Sequence, residues 1–408
     1  MHWPAFALGI AIVAATGLSL VTTFVLPRGG SKWQFISIAV SRAVRVFFRM
    51  LSRPAGSFER KDAILAWVGP IALLVQLVCF LGLFIAGYAL MDLPWTDSMV
   101  TALREAASSL FVVGLITQET SGNNAVLIFA GATGAIAVAL QIGYLPSIYQ
   151  SFNRRESLVT LMESRAGVPA WGPEVLARHQ LVGITDALPA LYRDWELWAA
   201  DLAESHISYP VLVWFRSPEP GFSWVLSLLA VLDAAAMHRA LCPESSPSEA
   251  RMCLRMGFTA LRRIAQALHW RFDPDPDPAG PLQLTFEDFS YAVDLLTSIG
   301  FVVERSAEEA WPHFVGWRVN YEDLAYRLAD EVTAPRAPWS GDRLHLPLDL
   351  MAPKRPPHRA PERGSLEDGR LRPPPGTGEG AAAHPRPSGR PLPWYRRHGA
   401  SKADRGAE

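Results

Sequence analysis

Three long stretches without a single charged side chain limit what this chain can fold into. Residues 1–27 carry no charge, and neither do the 28 residues Ala63–Leu90 or the 30 residues Asn123–Phe152. A helix of about 20 apolar residues crosses the hydrocarbon core of a bilayer, so each stretch is long enough to span. The competing readings are a buried core helix or, for the first stretch, a signal peptide. A signal peptide starts with basic residues and ends at a small-residue cleavage site. Here the start is Met-His-Trp-Pro, and Arg28 and Lys32 follow the apolar run. The order is that of a membrane anchor.

Basic residues set the orientation, because loops rich in Lys and Arg stay in the cytoplasm. The segment 28–62 holds Arg28, Lys32, Arg42, Arg45, Arg49, Arg53, Arg60 and Lys61, opposed only by Glu59 and Asp62. It is expected inside, which leaves the N-terminus outside. Arg154 and Arg155 place the end of the third stretch inside as well. Within Trp33–Leu51, apolar residues recur at helical spacing and Arg42, Arg45 and Arg49 share one face. That face is expected against anionic headgroups of the inner leaflet, or else the helix packs on the cytoplasmic domain.

Charge divides the 408 residues into three blocks. Residues 1–155 carry a net +5, residues 156–334 a net −12 and residues 335–408 a net +6. The total of −1 argues against nucleic acid as a partner. Three cysteines, none in a C-x-x-C pair, exclude a disulfide scaffold or a zinc ribbon.

Between the second and third stretches, Ala106–Gln118 is uncharged but only 13 residues long, too short to span. It is expected to start outside, dip in and return, with Thr96 or Asp97 as the helix cap and helix to about Phe111. Non-helical backbone at that depth needs a protein or water surrounding.

Helix, short helix, extended segment, helix is the order of a pore unit. In wording too the chain resembles the bacterial potassium-channel-like family, the type with two helices and a pore loop. Ser108–Leu115 stands where that family has its pore-helix end and filter. Gly143–Glu156 resembles its inner-helix exit. Glu204-Ser205-His206-Ile207-Ser208-Tyr209-Pro210, Phe215-Arg216-Ser217-Pro218 and Ser223-Trp224 resemble a recurring stretch of its cytoplasmic domain. The resemblance covers roughly residues 60–335. It implies a homotetramer in the plasma or inner membrane, with a monovalent cation such as potassium passing along a central axis. The implied filter is Val112-Val113-Gly114-Leu115-Ile116. It departs from the family's Thr-Val-Gly-Tyr-Gly at the first, fourth and fifth positions, so weak discrimination between potassium and sodium is expected. A loop that packs a helical bundle without conducting is the alternative. Gly131 and Gly134 in the third stretch suit close helix packing or a gating bend. Gln141 is the strongly polar side chain in that run and suits a wet cavity.

Residues 156–334 show apolar positions three and four apart and no lasting alternation, which predicts helices. These include Ser223–Leu241, read as a core helix because it holds Asp233, His238 and Arg239, and one helix over Ala307–Leu328. Thr285 with Asp288 resembles a capping box. Asp273, Asp275 and Asp277 alternate like the start of a calcium loop. Pro278 and Leu284 stand where that loop needs glycine and glutamate, so a solvated proline-stiffened loop is expected. His206, His238 and His269 lack metal-ligand spacing. No nucleophile elbow, phosphate loop or dinucleotide fingerprint is present. An enzyme, a metal and a cofactor are therefore not expected. Residues 335–408 hold 14 of the 33 prolines and read as a disordered basic tail.

The expected fold is an all-α membrane protein with three transmembrane helices and a re-entrant pore helix. Its segments are an N-terminal helix with a basic amphipathic stretch (1–62), a pore domain (63–155), a cytoplasmic helical domain (156–334) and the tail (335–408).

Overall fold

The computed structural model describes residues 3–26, 34–113 and 121–341, with side chains in the last segment from Asn124 onward. Among the described residues every extended regular element is helical. In order they are α1 (Trp3–Phe24), α2 (Phe35–Ser52), α3 (Phe58–Leu65), α4 (Val68–Asp92), α5 (Met99–Leu110), α6 (Ser121–Ala166), α7 (Gly172–Val182), α8 (Leu188–Ser208), α9 (Trp224–Leu241), α10 (Ser248–Ala267), α11 (Phe286–Ser298), α12 (Ala307–Arg318) and α13 (Glu322–Glu331). Four stretches among the described residues are long and apolar enough to cross a membrane: Trp3–Phe24, Phe58–Trp95, Asn124–Ala166 and Trp224–Leu241. The last of these is 94% buried inside the protein, the others far less. It is the central helix of a core built from α7, α8, α10 and α12.

The structure has two apolar cores. One joins α1, α2, α4, α5 and the upper part of α6; the other fills the helical domain from Val159 onward. Trp214 packs against both.

α1 lies along α4 because small residues let the backbones approach. A Cβ on Gly9 would stand 2.5 Å from the Gly87 carbonyl oxygen. At one end Trp3, Phe6 and Trp95 meet edge to face with ring centroids 5.8–6.2 Å apart. At the other, Phe24 meets Tyr144 at 4.7 Å. The hydroxyls of Thr22 and Thr23 donate to the carbonyls of Leu18 and Ser19 at 2.9 and 2.7 Å, which satisfies them within an apolar helix.

In α2, Arg45 and Arg49 have protein partners, while Arg42 is exposed. Ile36, Val40 and Val44 pack against α4. Arg45 pairs with Glu331 of α13, and Arg49 Nη2 donates to the Asp330 carbonyl at 3.3 Å. Phe35, Val46, Phe47, Met50 and Leu51 are exposed instead. Arg45 and Arg49 therefore turn to protein, and the free surface of the helix is largely apolar.

α6 runs through the point where charge returns at Arg154. Its 46 residues, at 1.5 Å each, make a rod about 69 Å long. Its lower end, Val159, Met162 and Ala166, is buried in the helical core.

The stretch expected as one helix over Ala307–Leu328 is two. Asn320 turns its side-chain amide onto the Gly316 carbonyl at 3.0 Å, competing with the backbone bond that would continue α12. Across that break sits a buried ionic group. Arg318, fully enclosed, pairs with Asp233 of α9, donates to Glu322 Oε1 at 3.0 Å, to the Tyr326 hydroxyl at 2.8 Å and to the Trp339 carbonyl at 2.9 Å. Burial pushes the Asp233 carboxyl up to about 6 against the pull of Arg318 and the Tyr321 hydroxyl. Residues up to Ser340 stay on this core, with Trp339 buried. Residues 342–408 lie outside the described residues.

Thr285 caps α11 by accepting from Asp288 N at 3.2 Å. The reciprocal capping box belongs to α12, where Ser306 and Glu309 exchange bonds of 3.2 and 3.0 Å. In the aspartate–proline loop, Asp273 and Asp277 accept from backbone N–H groups two residues on, both at 3.0 Å.

Candidate pore unit and its junction with the helical domain

α4 ends at Asp92, and a single turn of tighter helix, Leu93–Trp95, reverses the chain. α5 then starts from Ser98, whose hydroxyl accepts from Thr101 N at 3.2 Å. The cap thus sits one or two residues beyond Thr96 and Asp97. The 12 residues of α5 make about 18 Å of helix, too short to cross a bilayer core. Ala102, Ala106 and Leu110 bury one face against α4 and α6.

Both glycines singled out in the third apolar stretch meet the end of α5. A Cβ on Gly131 would stand 3.2 Å from the Ser109 carbonyl oxygen, and one on Gly134 only 2.1 Å from that of Leu110. Ser109 also donates its hydroxyl to the Leu127 carbonyl of α6. The glycines therefore seat the short helix. Nearby, the Tyr88 and Thr133 hydroxyls lie 2.6 Å apart and join α4 to α6.

α5 closes with two backbone bonds, Val112 N to Ser109 O and Val113 N to Ser108 O, both 2.9 Å. This is a Schellman-type cap whose left-handed position is usually glycine. Val112 occupies it at φ +57°. A β-branched residue there is strained. Val112 is 74% exposed, and Phe111 and Val113 are more than half exposed. Three apolar side chains at the tip of a buried helix are thus exposed for more than half of their surface. Gly114, Leu115 and Ile116 lie outside the described residues. Gln141 is buried, and its Oε1 has no hydrogen-bond partner among the described residues.

Sequence reasoning missed a buried acid pair. Asp92 at the end of α4 and Glu105 in the middle of α5 lie against each other, each 1% exposed or less. The available signal was that these are two of the three acids between Ala63 and Gln118.

The junction below the pore unit is built on Arg155. The side chain is 2% exposed. Its Nη1 donates to the Leu212 carbonyl at 2.8 Å, its Nη2 to the Phe215 carbonyl at 2.6 Å and its Nε to Glu156 Oε1 at 2.8 Å. Its guanidinium also lies over the rings of Phe152 and Trp224, and its own carbonyl accepts from Trp198 Nε1 at 3.0 Å. His206 completes the set. Its Nδ1 lies 2.9 Å from the Leu202 carbonyl, which assigns the proton to that nitrogen and leaves Nε2 to accept from Arg155 Nη1 at 3.3 Å. Burial first, and then Arg155, hold His206 well below the usual histidine range.

The segments Gly143–Glu156, Glu204–Pro210, Phe215–Pro218 and Ser223–Trp224 thus converge on one arginine. Around it, Phe215 meets Tyr149 and Phe152 at 6.0 and 5.7 Å, and Tyr144 meets Tyr209 at 5.2 Å. The Phe215 ring rests on Gly69 of α4, where a Cβ would stand 2.4 Å from Cδ2. Arg216 binds Asp62 of α3 through Nε at 2.5 Å and donates to the carbonyls of Val332 and Thr333. Residues 209–216 therefore touch α3, α4, α6 and the segment after α13.

Among the described residues, no group of three or more His, Cys, Asp or Glu side chains is placed to hold a metal. Cys242 and Cys253 are buried, and burial pushes both thiols up, that of Cys242 to about 11. No family model, curated protein or solved structure matches this chain.

Proposed function

We propose that the chain is one subunit of a homo-oligomeric ion channel, a tetramer of potassium-channel-like architecture. In this reading α1, α4 and the upper part of α6 span the bacterial plasma or inner membrane. The N-terminus is outside and the helical domain is cytoplasmic. The permeant species is a monovalent cation, with weak preference between potassium and sodium. The observation that carries the reading is the seating of α5. A helix too short to span is held between two long apolar helices by Gly131 and Gly134, and its tip ends in exposed Phe111, Val112 and Val113. Apolar side chains left open beside a wet path call for further copies of the same chain.

The helical domain assembles the subunits or transmits a signal to α6 through Arg155. In this reading α9 is the core helix of that domain rather than a fourth span, which its enclosure by protein supports.

The second reading is a non-conducting scaffold or sensor of the same architecture. It is favoured by Val112 where a threonine hydroxyl ring stands in the resembled family, and by Ile116 where that family has glycine. Single-channel recording of the purified full chain in a planar bilayer separates the two. Current that disappears in Gly114→Trp supports the channel. No current at any voltage, pH or calcium level leaves the scaffold. Current unchanged in Gly114→Trp places the path elsewhere.

A further inference from the structure

Where α2 meets α13, a cleft is lined by Arg45, Arg49, Trp214, Arg216, Glu331 and Thr333. Three guanidiniums line it with the Glu331 carboxylate, and Asp62 stands behind Arg216. Arg216 is fully used by Asp62 and by the Val332 and Thr333 carbonyls. Arg45 and Arg49 are less committed. Arg45 pairs with Glu331, and Arg49, which is exposed, reaches only a backbone carbonyl at 3.3 Å. Trp214 Nε1 also donates to Glu331 Oε1 at 3.3 Å. The Glu331 carboxylate thus occupies the place of an anion between an arginine and an indole N–H. The remaining free volume is about 20 Å³, room for one water. A second anion fits only by displacing Glu331.

The surroundings identify that anion. Leu65 and Val68 of the cleft wall mark the start of the long apolar α4. On α2, Val46, Phe47, Met50 and Leu51 are exposed around the two arginines. An apolar helix surface beside a basic cleft, at the foot of a spanning helix, lies at headgroup depth. Guanidinium groups match phosphate oxygens in bidentate geometry.

We propose that this cleft binds the phosphate group of an anionic lipid of the cytoplasmic leaflet, in competition with Glu331 for Arg45 and Arg49. The proposal rests on the membrane orientation given above and not on conduction. Occupation releases the end of α13 from α2. The same wall carries Trp214 and Arg216, next to the Phe215 carbonyl held by Arg155, so the cleft is one residue away from the anchor of α6.

Native mass spectrometry of the full chain in mild detergent tests this by counting retained phosphatidylglycerol, with phosphatidylcholine and inorganic phosphate as comparison arms. Phosphatidylglycerol is expected to be retained and phosphatidylcholine lost. Arg45→Gln and Arg49→Gln should each weaken retention about fivefold. Glu331→Gln should strengthen it, an effect that misfolding does not mimic. Arg42→Gln, on an exposed arginine outside the cleft, should change little. Equal retention of phosphatidylcholine, no effect of Glu331→Gln, or an equal loss in Arg42→Gln would overturn the site. Displacement of the lipid by an equal concentration of inorganic phosphate would overturn the lipid as its ligand. None of these readouts depends on current, so the proposal stands or falls separately from the channel.

Discussion

The Arg155 guanidinium, at the lower part of α6, donates to the Phe215 carbonyl at 2.6 Å across 60 residues of sequence. That bond and its companion to Leu212 fasten the long helix to the segment that also reaches α3, α4 and α13. Arg155→Gln removes a buried cation and strands two carbonyls and the Glu156 carboxylate. A loss of about 3–5 kcal/mol is expected, read as a lower melting temperature of the purified chain. Arg155→Lys should restore little, since one ammonium cannot reproduce the planar fork.

Gly134→Ala and Gly131→Ala should differ. The first drives a Cβ into the Leu110 carbonyl, while the second asks for a shift of a few tenths of an ångström. Overpacking of the Gly134 kind costs about 1–3 kcal/mol. Thermal melts of the two variants in the same detergent check the order, with Gly134→Ala the less stable. Equal stability would mean that α5 is not seated on this glycine.

Val112→Gly should stabilise the chain by about 1–2 kcal/mol, because it relieves a left-handed β-branched residue. Val112→Thr together with Ile116→Gly should raise potassium over sodium selectivity if the loop is a filter. Reversal potentials under bi-ionic conditions measure it. Conduction with unchanged selectivity would show that the loop does not choose the ion.

Three buried histidines predict the acid sensitivity of the helical domain. Burial lowers His179, His206 and His238, the last to about 4. A depressed folded value means that the unfolded chain takes up protons first, so stability is lost as pH falls through about 6.5. Between pH 7.5 and 6 His238, which stays neutral in the fold, should cost about 0.8 kcal/mol, and His179 and His206 act in the same sense. Asp233, raised to about 6, acts in the opposite and smaller sense over that interval. Denaturant midpoints at the two pH values measure the slope, and His238→Gln should flatten it.

Orientation is tested by labelling. A cysteine at Gly56 or at Ser248, both exposed, should react only with reagent supplied from the cytoplasmic side. Reaction from outside would invert the topology. Ser340, although close to the end of the helical core, is buried and unsuited to the experiment.

Much of the helical layout was legible because its signals are local. Uncharged runs marked α1, α4 and α6, and three-to-four spacing marked α8 to α11. The division between α12 and α13 was not, since it depends on where the Asn320 side chain turns. The arginines of α2 show a different limit. Helical spacing put Arg45 and Arg49 on one face, but their partners are at Glu331 and Asp330, nearly the whole chain away. At the candidate site, the spacing of Gly131 and Gly134 suggested packing, yet only the fold shows what they pack. The Arg155 cluster was visible as separate stretches of sequence and invisible as a single centre. The Asp92–Glu105 pair left almost no trace, because two acids 13 positions apart reveal nothing about facing helices until the turn between them is known.

Pro146 lies inside α6, between the glycine seat of α5 and the Arg155 anchor. A proline offers no backbone N–H, so the carbonyl one turn earlier, that of Ile142, loses its helical partner. The rod is thus least stiff at one level, with a braced half on either side. A push on the lower half cannot be dissipated in a loop, since there is none between Ser121 and Ala166. The missing bond at Ile142 thus falls between two fixed points, the contact of Gly134 with Leu110 and the hold of Arg155 on Phe215.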